Sequence, residues 1–318
     1  MKWRMSKPTI VLSALSLAVA LSIPVKAQKL AGTNRPQAVP EGYVITPFGY
    51  FHPSCVRALA SGETVLADGR VQHLDGTVDA EAPACSYPHY TTSGEAIAPG
   101  VISPTISHSW IEALDAIDTT TPFGKLSVVG TVPPAPTTYD GQTIFFFPGM
   151  EDIVSDASIL QPVLGWNASA LGAIWTIASW NCCPSGTANY SGFNPVNPGD
   201  TIYGEIKYDG SNPTKSPTNW TITTADQTTG TATILYHTPS EGQTFNWAQA
   251  GALEVYNIVE CTDYPPNGAF TFSDVSLYDY KLNKISDPGW LLFNYSIGLN
   301  PQCNYGATTS GSKATLDY

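Results

Sequence analysis

From Ser107 onward, apolar and polar residues alternate in short runs broken by Gly, Pro and Asn, and this period of two constrains the fold more than any other feature. The clearest case is the pair Trp220 to Thr224 and Thr231 to Tyr236, separated by the turn-forming stretch Ala225 to Gly230. Lys125 to Val129, Thr143 to Phe147, Thr201 to Tyr208, Leu253 to Glu260 and Ala269 to Tyr278 have the same character. No stretch shows a helical period. A strand with one apolar face must bury it against another sheet, so residues 106 to 318 predict an all-β, antiparallel β-sandwich.

The chain before this region is built differently. Lys2, Arg4 and Lys7, an apolar run from Ile10 to Ile23 and the small-x-small site Val25-Lys26-Ala27 predict a secretory signal over residues 1 to 27, hence an extracellular location. The apolar run is too short to span a bilayer, and no later stretch is long enough. Residues 28 to 105 read as a separate small region. Thr64-Val65-Leu66 and Arg70 to Leu74 flank the turn Ala67-Asp68-Gly69, while residues 91 to 105, rich in Ser, Gly and Pro, read as a linker. Either a propeptide that plugs a cleft or an appended module satisfies this pattern. In an exported chain the six cysteines predict disulfides. Cys55 with Cys85 ties the N-terminal region, and Cys182 and Cys183 are then expected to pair with Cys261 and Cys303 in some order.

The whole chain carries 14 Lys and Arg against 26 Asp and Glu, and loss of Lys2, Arg4, Lys7 and Lys26 makes it more acidic still. Nucleic acid and anionic membranes are therefore excluded as partners. A charged fraction of only 13% keeps net charge modest in acid, which suits work at low pH. The five histidines are scattered and no Cys/His spacing suggests zinc, so neither metal nor cofactor is expected.

A set of short motifs carries the chemistry. In order they are Ser109-Trp110, Gly130-Thr131-Val132-Pro133, Phe145 to Asp152, Ile159-Leu160-Gln161, Ala178-Ser179-Trp180, Pro198-Gly199-Asp200 and Leu253-Glu254. Together they resemble the glutamic peptidases of the eqolisin family, over roughly residues 107 to 280. The resemblance implies a concanavalin-like sandwich and a catalytic pair of Gln161 and Glu254. It also implies that Trp110, Phe147, Glu151, Trp180, Tyr256 and Glu260 bind substrate. Counting back from Phe272-Ser273-Asp274-Val275 puts Glu254 at the catalytic position, whereas matching the letters Ile258-Val259-Glu260 puts Tyr256 there. Alternation places Glu254, Tyr256, Ile258 and Glu260 on one strand face, so Glu260 is the second glutamate to consider. Phe147 stands where the family has Trp and Glu151 where it has Asp, and Asn181-Cys182-Cys183 replaces part of its Trp-rich loop. Gly165-Trp166-Asn167 also resembles the neprosin-type glutamic peptidases, which use a pair of glutamates.

Residue chemistry supplies the mechanism expected of such a pair. A carboxylate takes a proton from water as general base and returns it to the leaving amine, a step worth about 10²–10⁴-fold. A glutamine cannot titrate, but its NH₂ can donate to the oxyanion, worth on the order of 10²–10³-fold. The expectation is a secreted, monomeric acid endopeptidase acting on polypeptides. Two rivals share the fold: a carbohydrate-binding sandwich using exposed Trp and Tyr, and a glycoside hydrolase pairing Glu205 with Glu254; Trp166, Trp175, Trp180, Trp220 and Trp247 are expected as core or sheet-surface aromatics.

Overall fold

The computed structural model describes residues 35–80, 85–99, 110–154, 158–182, 186–210, 212, 214–296 and 299–318. The expected signal segment, Ser109, Cys183 and the linker beyond residue 99 lie outside these. The strands, in chain order, begin with β1 (Val44–Thr46), β2 (Gly49–Phe51), β3 (Val56–Leu59), β4 (Thr64–Val65), β5 (Val71–Gln72), β6 (His89–Tyr90) and β7 (Ala96–Ile97). The main domain follows with β8 (Trp110–Ile117), β9 (Phe123–Thr131), β10 (Thr143–Glu151), β11 (Ile159–Trp166), β12 (Trp175–Cys182), β13 (Ala188–Ser191), β14 (Asn194–Pro195), β15 (Thr201–Tyr208), β16 (Asn219–Asp226) and β17 (Thr231–Pro239). It closes with β18 (Trp247–Tyr256), β19 (Ala269–Asp279), β20 (Leu291–Asn294), β21 (Gly306–Ser310) and β22 (Lys313–Asp317).

Two nine-stranded sheets form the sandwich. The first runs β20-β8-β18-β10-β11-β12-β13-β3 with β14 beside β12, and the second runs β21-β22-β19-β9-β15-β16-β17-β4-β5. Alternation sorts the side chains. Ile144, Phe146, Met150, Leu160, Leu164 and Leu253 point from the first sheet into a core shared with Leu126, Ile206, Trp220, Phe270 and Leu316 of the second. Phe146 stacks on Phe270 at 4.4 Å between ring centroids. Each such side chain, taken wholly out of water, stabilises the fold by about 1.5–3 kcal/mol.

The residues of opposite parity on the first sheet, including Phe145, Phe147, Ile159, Val163, Trp180, Ala252 and Tyr256, form a second apolar cluster on its outer face. That face is covered. Val39, Tyr43, Tyr50, Phe51 and Cys55 of the N-terminal region complete the cluster, held by the small sheet β1-β2-β6-β7. The same region donates a strand to each large sheet: β3 pairs in parallel with β13, Ala188 opposite Val56, and β4 pairs with β17, Tyr236 opposite Thr64. The N-terminal region is thus integrated into both edges, and Ala96 and Ile97, read as linker, form a strand of the small sheet.

Two further expectations are corrected. Cys55 pairs with Cys85, but Cys261 pairs with Cys303 and Cys182 is a buried free thiol. Cys182 points into the covered outer-face cluster, whereas Cys261 opens a 3₁₀ turn beyond the end of β18. The strand read as Leu253 to Glu260 stops at Tyr256, because Asn257 takes a left-handed backbone with φ of 59° and alternation ends there.

Candidate active site

Strand register places the expected site residues. β10 lies between β11 and β18. The pairings Phe146 with Leu164 and Met150 with Leu160 keep one register, so Gly149 falls opposite Gln161 and Glu151 opposite Ile159. On the other side, Gly149 pairs with Gln249, Glu151 with Trp247 and Phe145 with Glu254. Trp180 is paired with Gln161 from β12, and Trp110 with Glu254 from β8. Trp110, Phe147, Glu151, Gln161, Trp180, Glu254 and Tyr256 therefore share the outer face of the first sheet.

Gln161 and Glu254 are each 0% exposed. The Gln161 amide nitrogen donates to the carbonyl of Pro47 at 3.1 Å. Glu254 is hydrogen-bonded to the Tyr256 hydroxyl, which also donates to the carbonyl of Thr46 at 2.9 Å. Consecutive backbone carbonyls of the N-terminal region are thus held by Gln161 and by Tyr256, the hydrogen-bond partner of Glu254, and Tyr50 packs edge-on against Tyr256 at 5.1 Å. Burial pushes the Glu254 carboxyl up to about 8, with the Tyr256 hydrogen bond opposing the rise. Among the described residues no hydrogen bond joins Gln161 directly to Glu254. With about 4.8 Å between strands and 3.3 Å per residue, their Cα atoms lie about 16 Å apart, two strands and four positions removed.

The aromatic residues form the walls. Trp180 stacks on Tyr190 at 4.4 Å, and Trp110 meets Phe147 and Trp247 edge-on, each at 6.0 Å. Glu260 is not brought to this face. It is exposed, and it caps the 3₁₀ turn Cys261–Asp263 beyond the end of β18.

Sequence reasoning missed Gln249 and Asp115, paired with each other on the same outer face. The Gln249 amide, correctly oriented, donates to Gly149 O at 2.9 Å and accepts from the Trp247 indole N–H at 3.1 Å. Asp115 is 1% exposed, and burial pushes its carboxyl up to about 8. The alternation in Trp247-Ala248-Gln249-Ala250 and Trp110 to Ala116 was the available signal. Polar residues on a face otherwise packed with aromatics mark a site rather than a solvated surface.

The glycoside-hydrolase alternative loses its carboxyl pair. Glu205 sits on β15 of the second sheet, bonded to Lys125 at 2.5 Å and Tyr203 at 2.6 Å, and so cannot face Glu254. Trp166, Trp175, Trp180, Trp220 and Trp247 are all buried, as expected of core aromatics.

The chain is therefore a two-sheet β-sandwich whose outer face holds an amide and several carboxyls beneath an N-terminal cover. In architecture it is similar to scytalidoglutamic peptidase bound to a transition-state analogue inhibitor, at 17% identity and TM-score 0.48, over 66% of this chain and 98% of that one. It is similar also to SCP-B, an eqolisin-family peptidase in complex with the tripeptide Ala-Ile-His, at 17% identity, TM-score 0.46 and the same coverage. Aspergilloglutamic peptidase from Aspergillus niger matches at 14% identity and TM-score 0.40, over 55% of this chain and 98% of that one. No family model and no curated protein matches the sequence. No helix among the described residues is long and apolar enough to cross a membrane.

Proposed function

We propose that this chain is a secreted endopeptidase that hydrolyses peptide bonds in acid, with Gln161 as oxyanion donor and a buried glutamate of the same face as proton carrier, the role that the family resemblance gives to Glu254. Residues 28 to 105 act as its cover. One observation carries the reading: an extended peptide segment already lies across the face, with the Pro47 carbonyl on the Gln161 amide and the Thr46 carbonyl on Tyr256 beside Glu254. A substrate peptide presented in the same way would offer its carbonyl to Gln161, whose NH₂ gains strength as negative charge develops on the oxygen. A buried carboxyl with a raised pKa holds its proton in acid and can release it to a leaving amine. Trp110, Phe147, Trp180 and Tyr256 supply apolar walls once the cover leaves, and a polypeptide is the substrate class that fits them.

The test is to insert a specific protease site between residues 100 and 109, nick the purified chain, and follow cleavage of denatured casein from pH 2 to 7. The nicked chain is expected to cleave in acid and the intact chain to be at least tenfold slower. Gln161→Ala is expected to lower the nicked rate by 10²–10³-fold, the range for a lost oxyanion donor. A Gln161→Ala variant that cleaves at the wild-type rate refutes the reading.

A further inference from the structure

A general base must reach the attacking water, and the water must reach the carbonyl held by Gln161. Of the carboxyls on the outer face, Glu151 lies nearest by register: one strand and two positions from Gln161. The same strand spacing and rise put their Cα atoms about 8 Å apart, half the separation of Gln161 and Glu254. Glutamine and glutamate side chains each extend about 5 Å from Cα, so this diagonal pair lies within reach of one shared water.

The local structure favours this short pairing. Gly149 sits between Gln161 and Gln249 with no side chain; a Cβ there would lie 2.4 Å from the Gln249 side-chain amide and 3.1 Å from Ile159 Cδ1. Across this gap, Oε1 of the fully buried Gln161 has no hydrogen-bond partner among the described residues and can orient a water. Gln249 is committed to Gly149 O and the Trp247 indole, so it braces the floor of the gap. Asp115 is the second carboxyl of this end, and Tyr295, 38% exposed, has its pKa raised by burial first and by the charges of Asp115 and Glu151 second.

We propose that Glu151 is the catalytic carboxyl that shares the attacking water with Gln161, while Glu254 and Tyr256 hold the substrate backbone. This rests on the hydrolase reading above and reassigns its proton carrier. Water adds through oxygen to the peptide carbonyl carbon and its proton passes to the Glu151 carboxylate, while the Gln161 NH₂ donates to the oxyanion. As the C–N bond breaks, Glu151 returns that proton to the leaving amine. The products are a carboxyl and an amine, and Glu151 is ionised again.

The nicked chain carrying Glu151→Gln, Glu151→Asp, Glu254→Gln or Gln161→Ala distinguishes the assignments with casein and with a short quenched fluorescent peptide. Glu151→Gln is expected to lower kcat at least 10²-fold with KM changed less than threefold, while Glu151→Asp, keeping the carboxyl at shorter reach, retains part of kcat. Glu254→Gln is expected to act mainly on KM. Thermal melts of each variant show whether it folds, and the Glu151→Asp comparison carries the test if Glu151→Gln does not. Full kcat in Glu151→Gln, or kcat lost only in Glu254→Gln, overturns the assignment while leaving the hydrolase reading in place. No cleavage by nicked wild type overturns both.

Discussion

Tyr256 and Glu254 lie on one face of β18 and are hydrogen-bonded, yet the single Tyr256 hydroxyl proton also has the Thr46 carbonyl as acceptor at 2.9 Å. A protonated Glu254 satisfies all three groups, its own O–H donating to Tyr256 and Tyr256 donating to Thr46. An ionised Glu254 instead draws the Tyr256 proton to itself and leaves the Thr46 carbonyl without it. Removing the hydroxyl leaves a buried carboxyl and a buried carbonyl short of a partner. Tyr256→Phe is expected to lower stability by about 1–3 kcal/mol in denaturant titrations at pH 5.

The pH dependence of stability follows from the same burial. Glu112, Asp115 and Glu254 are each pushed up to about 8 by burial, from ordinary values of 4.5, 3.8 and 4.5. Between those limits the folded chain binds protons that the unfolded chain has released, so stability falls as pH rises. It should be greatest below about pH 4 as far as these groups are concerned, decline through pH 5 to 8, and level off above. Thermal melts across this range check the sign. A midpoint that rises from pH 5 to 8 contradicts the protonated state of these three carboxyls.

Gly49 sits at the β1–β2 turn with φ of 119°, and a Cβ there would lie 2.4 Å from the Tyr90 carbonyl oxygen. Gly49→Ala should therefore disrupt the small sheet while leaving the sandwich core alone. Faster amide exchange confined to residues 44–51 and 89–97, with protection retained in β10 and β18, is the expected result.

Deleting residues 28 to 99 uncovers the edges of β13 and β17 together with Trp110, Phe145, Phe147 and Trp180. Unpaired edges next to an apolar face promote association. The deleted chain should elute as oligomers on size exclusion, and adding the N-terminal region in trans should restore a smaller species.

Much of the sandwich was legible because burial on one face of a strand imposes a period of two. Thr201 to Tyr208 matches β15 end to end, and Trp220 to Thr224 with Thr231 to Tyr236 lie inside β16 and β17. Gln161 and Glu254 were legible as polar residues in strands, and both fall on one covered face. Their separation along that face was not, because it depends on register across β10 and on bulges in β18, which composition does not encode. Glu260 was misplaced for a local reason: Asn257 adopts a backbone that ends the alternation. Gln249 and Asp115 went unnoticed because a period of two cannot tell the outside of a sheet from a covered exterior.

Both disulfides are local: Cys55–Cys85 closes within the cover and Cys261–Cys303 within the sandwich. Neither crosses the boundary between them. Once the backbone is cut, the cover is a separate molecule whose occupancy obeys mass action: dilution frees the face, and excess fragment silences it again without any change in redox conditions.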